Sequence, residues 1–200
     1  MSEPNFRDKY EQAGAIGSRL IGRFYATVGR LIALVEPAPR TAFEVGAGEG
    51  YSTAYLSKAM PAGCRFESSE HDPALAARAR QRNPGLAIGV ESAYSLTQPT
   101  ASADLVVCLE VLEHLEAPAA ALDELARVAA RALILSVPDE PLWRVLNCAR
   151  GKYLADLGNT PGHLQHWTPR AFERFVARRC RVLVRVRSLP WTLVLAEPRR

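Results

Sequence analysis

Lysine is almost missing from this chain: Lys9, Lys58 and Lys152 stand beside 22 arginines in 200 residues. That ratio is what a genome-wide preference for arginine codons would produce, and on that reading the cationic content carries little information about ligands. Paired cysteines are missing too. Cys64, Cys108, Cys148 and Cys180 lie far apart with no Cys-x-x-Cys, so neither a disulfide framework nor a thiolate zinc site is indicated. No uninterrupted apolar stretch is long enough to cross a bilayer. Met1-Ser2-Glu3-Pro4-Asn5 lacks the charged-then-apolar order of a signal peptide, so a cytoplasmic protein without a membrane span is expected. Repeats, low-complexity tracts and interdomain linkers are absent as well. With 48% apolar residues, positions 1–200 read as a single domain with a sizeable core, and monomer and homodimer both stay open.

The net charge of +4 is unevenly spread. From Pro169 onward, nine arginines face only Glu173 and Glu197, a local excess of +7 that leaves about −3 for the rest. Such a surface suits an anionic substrate, lipid headgroups or nucleic acid. Arginines on the outer faces of a last helix and hairpin also need no ligand at all, and nucleic acid is disfavoured as a partner.

Strand and helix patterns alternate along the chain, as in a doubly wound α/β unit. Helical periodicity runs from Lys9 to Val35 and stops before Pro37. Strands are expected at 41–46, 64–70, 86–90, 104–109 and 132–137, with helices at 50–59, 73–82 and 117–130. Leu105-Val106-Val107 and Leu133-Ile134-Leu135 are apolar throughout, which places them in a parallel sheet covered on both faces. Thr168-Pro169 reads as an N-cap followed by proline at the first helical position. Arg181 to Arg187 and Trp191 to Ala196 form a terminal antiparallel pair.

The first strand ends in Phe43-Glu44-Val45-Gly46-Ala47-Gly48-Glu49-Gly50, glycines at alternate positions before a helix. Glycine admits φ > 0 and lets a ligand approach the backbone, so a Cβ at position 46, 48 or 50 is expected to obstruct it. The dinucleotide fingerprint needs Gly-x-Gly-x-x-Gly and would require glycine where Tyr51 stands, which argues against a dehydrogenase. With Glu44 ahead of the glycines, the segment resembles the first motif of class I S-adenosylmethionine (SAM)-dependent methyltransferases. About 20 residues beyond the last glycine comes Glu70, ahead of His71-Asp72-Pro73. A carboxylate at the end of a second parallel strand points into the crevice and can accept both ribose hydroxyls. Glu67 is the competitor if the strand register differs. Ala103 to Leu115, ending Glu110-Val111-Leu112-Glu113-His114-Leu115, is similar to the fourth strand and following turn of small-molecule methyltransferases.

The resemblance covers most of the chain. It implies a Rossmann-like, seven-stranded, mostly parallel sheet ordered 3-2-1-4-5-7-6, helices on both faces, and SAM as cofactor. Residues 1–38 would form a helical lid and 139–168 a substrate cover. On this resemblance Glu44, Gly46, Ala47, Gly48 and Gly50 meet the methionine portion, Glu70 and His71 the ribose side, Ser92 and Ala93 the adenine, and Leu109 and Glu110 the ammonium. Where the family has Gly-Asp-Ala, this chain reads Gly89-Val90-Glu91-Ser92-Ala93, so Glu91 or Ser92 would replace the aspartate.

Glu110, Glu113 and His114 are expected to share one face of a helical turn. Glu-x-x-Glu-His resembles the magnesium-binding motif of ubiquinone-pathway O-methyltransferases and of small-RNA 2′-O-methyltransferases, which implies a Mg2+ site. The alternatives are His114 as general base, since imidazole ordinarily titrates near neutrality, or a purely architectural role. A long segment after the fifth strand ends in Gly162-His163-Leu164-Gln165-His166-Trp167. His163 and His166 would complete a metal site or bind substrate, with Trp143, Tyr153 and Trp167 as apolar walls. The expected activity is methyl transfer to a small molecule, at a hydroxyl oxygen, with Glu113, His114 and His166 as catalytic residues. RNA 2′-O-methylation and a non-catalytic SAM-binding subunit are the alternatives.

Overall fold

The computed structural model describes residues 14–151 and 153–200. Its elements in chain order are α1 (Ala15–Ala33), β1 (Thr41–Val45), α2 (Tyr51–Ala59), β2 (Arg65–Glu70), α3 (Pro73–Arg82), β3 (Ala87–Val90), β4 (Ala103–Leu109), α4 (Pro118–Val128), β5 (Ala129–Pro138), α5 (Leu142–Ala149), α6 (Pro169–Val176), β6 (Cys180–Ser188) and β7 (Trp191–Pro198). Short 3-10 turns occupy Leu112–His114 and Leu154–Asp156. The strands form one seven-stranded sheet in the expected order, β3-β2-β1-β4-β5-β7-β6. The first five are parallel, and β7 runs antiparallel to both β5 and β6.

Period-two alternation divides the buried strands between two cores. Val106, Leu133 and Leu135 face α4 and α6, joining Leu122, Leu125 and Phe172. Leu105, Val107 and Ile134 face α1 and α2, joining Phe24, Val28, Leu31 and Leu56. Each such Leu or Val contributes roughly 1.5–3 kcal/mol on burial, which is why these strands tolerate no polar face. Two helix starts follow their caps. Asp72 Oδ1 accepts from the N–H groups of Ala74 (2.7 Å) and Leu75 (3.0 Å), and Thr168 Oγ1 accepts from Ala171 N–H at 3.3 Å.

The expected first helix is seen from Ala15, its beginning at Lys9 lying outside the described residues. The described part is a packing layer on the sheet, with the ring of Phe24 5.0 Å from that of Trp191 and Tyr25 stacked on Tyr55 at 4.5 Å. Among the described residues no helix is long and apolar enough to cross a membrane. One boundary moves: α4 ends at Val128 and β5 begins at Ala129, three residues earlier than expected. Ala129 pairs with Ala103 and Ala132 with Leu105 across a register shift, so sheet pairing takes residues that helical propensity alone would keep.

Candidate active site

The carboxyl ends of β1, β2, β4 and β5 converge on one rim, where open parallel sheets hold their ligands. At the tip of β1, Gly46 and Ala47 both donate N–H to Ser69 O at 2.9 Å, and Gly50 N–H closes a turn onto Ala47 O at 2.8 Å. All three glycines have positive φ, at 88°, 54° and 84°. Their surroundings differ, which corrects the expectation that each guards ligand space. A Cβ at Gly46 would lie 2.2 Å from Val111 Cγ2, and one at Gly50 would lie 2.4 Å from Asn83 Nδ2 and 2.9 Å from Ala79 Cα. Only at Gly48 would it meet nothing within 4 Å. At Gly46 and Gly50 a side chain would meet protein, and Gly48 alone of the three fronts open space.

Glu44 lies beneath this loop, 1% exposed, rather than in the cleft. Its Oε2 accepts from Thr53 Oγ1 (2.6 Å) and Ser68 Oγ (2.9 Å), tying β1 to α2 and β2. Burial holds its carboxyl above the ordinary carboxylate range, against the opposing hydrogen bonds of Ser52, Thr53 and Ser68. Ala47 is buried as well, against Ala79 and Ile88.

Glu70 ends β2 and reaches the loop: Oε2 accepts from Gly48 N–H at 2.7 Å and Oε1 from Asp72 N–H at 3.0 Å. Glu67 instead pairs with exposed Arg65 at 3.3 Å, so the register puts Glu70 beside the glycines. His71 is exposed next to it. After β3, Glu91 accepts from Thr97 N–H at 2.9 Å and from Gln98 Nε2 at 3.3 Å, which occupies both of its oxygens within its own turn. Ser92 Oγ accepts from Tyr94 N–H at 3.3 Å, and Ala93 is buried in the core beneath.

At the tip of β4 the expectation of one shared helical face fails. Glu110 adopts φ 59°, a left-handed turn that carries its side chain toward β5, where Ser136 Oγ donates to Oε1 at 2.9 Å. The register that opposes Leu109 to Ser136 brings these two together. The 3-10 turn then begins only at Leu112, so Glu113 and His114 project from a different segment of backbone. Their companion is His163: ligand atoms of Glu113, His114 and His163 lie within 4.8 Å of one another. Glu110 and His166 are outside that group. The insertion supplies His163 because Leu164 and Gln165 donate N–H to Glu113 O at 2.8 and 2.9 Å and Gln165 Nε2 donates to Leu115 O, 50 positions away, at 3.0 Å, sewing the two segments into one seam.

The seam also sets the chemistry of His114. Its Nδ1 lies 2.9 Å from Gly162 O, and a carbonyl only accepts, so Nδ1 carries a proton and, in the neutral ring, Nε2 is the nitrogen with the lone pair, 3.9 Å from Glu113 Oε1. The rings of His114 and His163 meet edge to face at 4.9 Å. His166 Nε2, by contrast, is bonded to Asn159 Oδ1 at 2.7 Å. Trp167 packs against Phe172 and Phe175 (5.7 and 5.2 Å) at the edge of the core. Trp143 is the aromatic that stacks near His163, at 6.3 Å.

Residues 43–134, which span β1 to β5 and both glutamate-bearing tips, match the family described as "Methyltransferase domain". The fold is shared with a putative methyltransferase from Haloferax volcanii, solved in complex with the Trm112 methyltransferase activator, at 15% identity, 97% coverage of each chain and a TM-score of 0.70. The N-methyltransferase NodS from Bradyrhizobium japonicum superposes at 18% identity and TM-score 0.68, covering 92% of this chain and 98% of its own. Magnesium protoporphyrin IX methyltransferase (ChlM) from Synechocystis, solved with S-adenosylhomocysteine, gives 18% identity, 96% and 91% coverage and TM-score 0.68. No curated protein matches the sequence significantly. The domain match over residues 43–134 and the shared sheet order support an enzyme of the SAM-dependent methyltransferase type.

Proposed function

We propose that the enzyme methylates a hydroxyl oxygen of a small molecule, with His114 Nε2 as the acceptor of the hydroxyl proton. SAM when bound supplies a sulfonium methyl group for in-line displacement. The open side of Gly48 gives the methionine portion room, and Glu70 is placed to exchange its bond with Gly48 N–H for the ribose hydroxyls. Residues 139–168 cover the acceptor. The single observation that supports the acid–base role is the bond between His114 Nδ1 and Gly162 O, since in the neutral ring it makes Nε2 the basic nitrogen. The proton of the acceptor passes to Nε2 as the oxygen takes the methyl, and the spent cofactor leaves as S-adenosylhomocysteine. His114→Ala is expected to lower kcat roughly 100-fold or more while SAM affinity stays within a factor of two. Retained kcat with a panel of hydroxylated aromatic compounds would remove His114 from the chemistry.

A second reading follows from the grouping of Glu113, His114 and His163. Two imidazoles and one carboxylate do not fit Mg2+, which takes oxygen ligands almost throughout, but they suit Mn2+, Co2+ or Zn2+. Such an ion would orient the acceptor oxygen through the same Nε2 that the first reading uses as base, so the two compete. EDTA followed by separate return of Mn2+, Zn2+ and Mg2+ decides between them. Full activity in EDTA leaves the base; rescue by Mn2+ or Zn2+ but not Mg2+ establishes the ion.

A further inference from the structure

The loop that follows β5 carries one group that methyl transfer leaves without a task. Glu140 is 5% exposed and His163 8% exposed. Neither carboxylate oxygen of Glu140 has a hydrogen-bond partner, and Nδ1 is the ring nitrogen of His163 that is both sealed from solvent and unbonded. A carboxylate buried in this way costs several kcal/mol unless a donor meets it. Among the described residues its one ion-pairing contact is His163 Nδ1, 3.9 Å from Oε1.

We propose that Glu140 is the positioning residue of His163: its carboxylate takes the Nδ1–H hydrogen bond and so fixes the tautomer that presents Nε2 to Glu113 and His114. The inference rests on the reading of that cluster as the acceptor site. The surroundings leave the imidazole few other choices. Trp143 stacks on the ring with planes 26° apart and is itself held by Thr160, whose Oγ1 accepts from Trp143 Nε1 at 2.9 Å. His163 N–H donates to Thr160 O at 3.0 Å, and Glu140 N–H to Trp167 O at 3.0 Å, so both backbones are pinned. A movement of about 1 Å brings Nδ1 and Oε1 to hydrogen-bonding distance. His114 already shows the same device, with Gly162 O as the acceptor at Nδ1. Both imidazoles would then face the cluster through Nε2, each oriented from behind, in the carboxylate–histidine arrangement that sets ligand direction and basicity.

The test reads the tautomer directly in metal-free protein. Two-bond 15N–1H spectra of 15N-histidine protein, recorded where the spectrum itself shows neutral rings, should show His163 in the Nδ1–H form, its signals assigned by their loss in His163→Gln. Glu140→Gln, whose amide can donate or accept, should give both tautomers. An Nε2–H form in the unsubstituted protein, or an unchanged Nδ1–H pattern in Glu140→Gln, overturns the proposal. If the variant does not fold, the unsubstituted spectrum alone decides. Mn2+ titration by calorimetry is the second readout, with Glu140→Gln expected to bind roughly 10–100-fold more weakly. Absence of Mn2+ binding in both proteins, with the tautomer shift present, refutes the metal reading and leaves the positioning role of Glu140 standing.

Discussion

Substituting the glycines of the β1–α2 loop one at a time separates ligand space from packing. At Gly48 the backbone has φ 54° and a Cβ would meet nothing within 4 Å, so Gly48→Ala suffers only the left-handed conformation, about 1 kcal/mol. For a chain of this length that is a Tm loss of roughly 2–4 °C. Gly50→Ala has the same strain at φ 84° and adds contacts of 2.4 Å to Asn83 Nδ2 and 2.9 Å to Ala79 Cα. Asn83 is no loose end, since its Nδ2 donates to Gly50 O and Ala79 O at 2.9 and 3.0 Å. Overpacking of about 1–3 kcal/mol therefore comes on top, roughly 4–16 °C in all. Ligand binding should order the variants the other way. Gly48→Val, tested beside Gly48→Ala because its branches fill the open space, is expected to abolish stabilisation by S-adenosylhomocysteine in differential scanning fluorimetry. Gly50→Ala, assayed below its lowered Tm, is expected to keep a measurable ligand shift. Wild-type affinity in Gly48→Val, measured by calorimetry, would refute the assignment of that space to the cofactor.

Three other outcomes follow from the contacts described. Glu70→Ala should weaken SAM binding by about 1–3 kcal/mol, whereas Glu67→Ala, which removes only an exposed pair with Arg65, should leave it unchanged; the reverse order in calorimetry would reject the ribose role of Glu70. Burial raises the Glu44 carboxyl, so its protonated form is favoured by folding, and the stability it contributes is present below the ordinary carboxyl range and lost as pH rises through the folded value. Unfolding from about pH 4 to about pH 8 should then show Glu44→Gln gaining on the unsubstituted protein as pH rises, and parallel curves would contradict the direction. Trp167→Ala should cost about 2–3 kcal/mol, or roughly 4–12 °C, through its contacts with Phe172 and Phe175, while His166→Ala should move Tm by under about 2 °C; equal shifts would mean the ring contacts are misjudged.

The alternation of strands and helices, the cap at Thr168, and the placement of Glu44, Gly48 and Glu70 near the sheet rim were all readable along the chain. These depend on local rules: periods of 2 and 3.6, side-chain capping, and the tolerance of glycine for positive φ. The residues that meet at the acceptor end were not readable in that way. A helical spacing rule grouped Glu110 with Glu113 and His114, but the left-handed φ at Glu110 and the hydroxyl of Ser136 on β5 turn it elsewhere. Of the two histidines in the insertion, His163 joins Glu113 and His114 because Glu113 O receives two N–H bonds from residues 164 and 165, while His166 is taken by Asn159. Glu140 offered no signal of its own beside Asp139 at a strand end, since its meaning comes from burial beside an imidazole 23 positions away. Local pattern sets where a strand stops; which side chains face one another there is settled by one dihedral angle and by pairing across distant segments, and those exist only once the chain has folded.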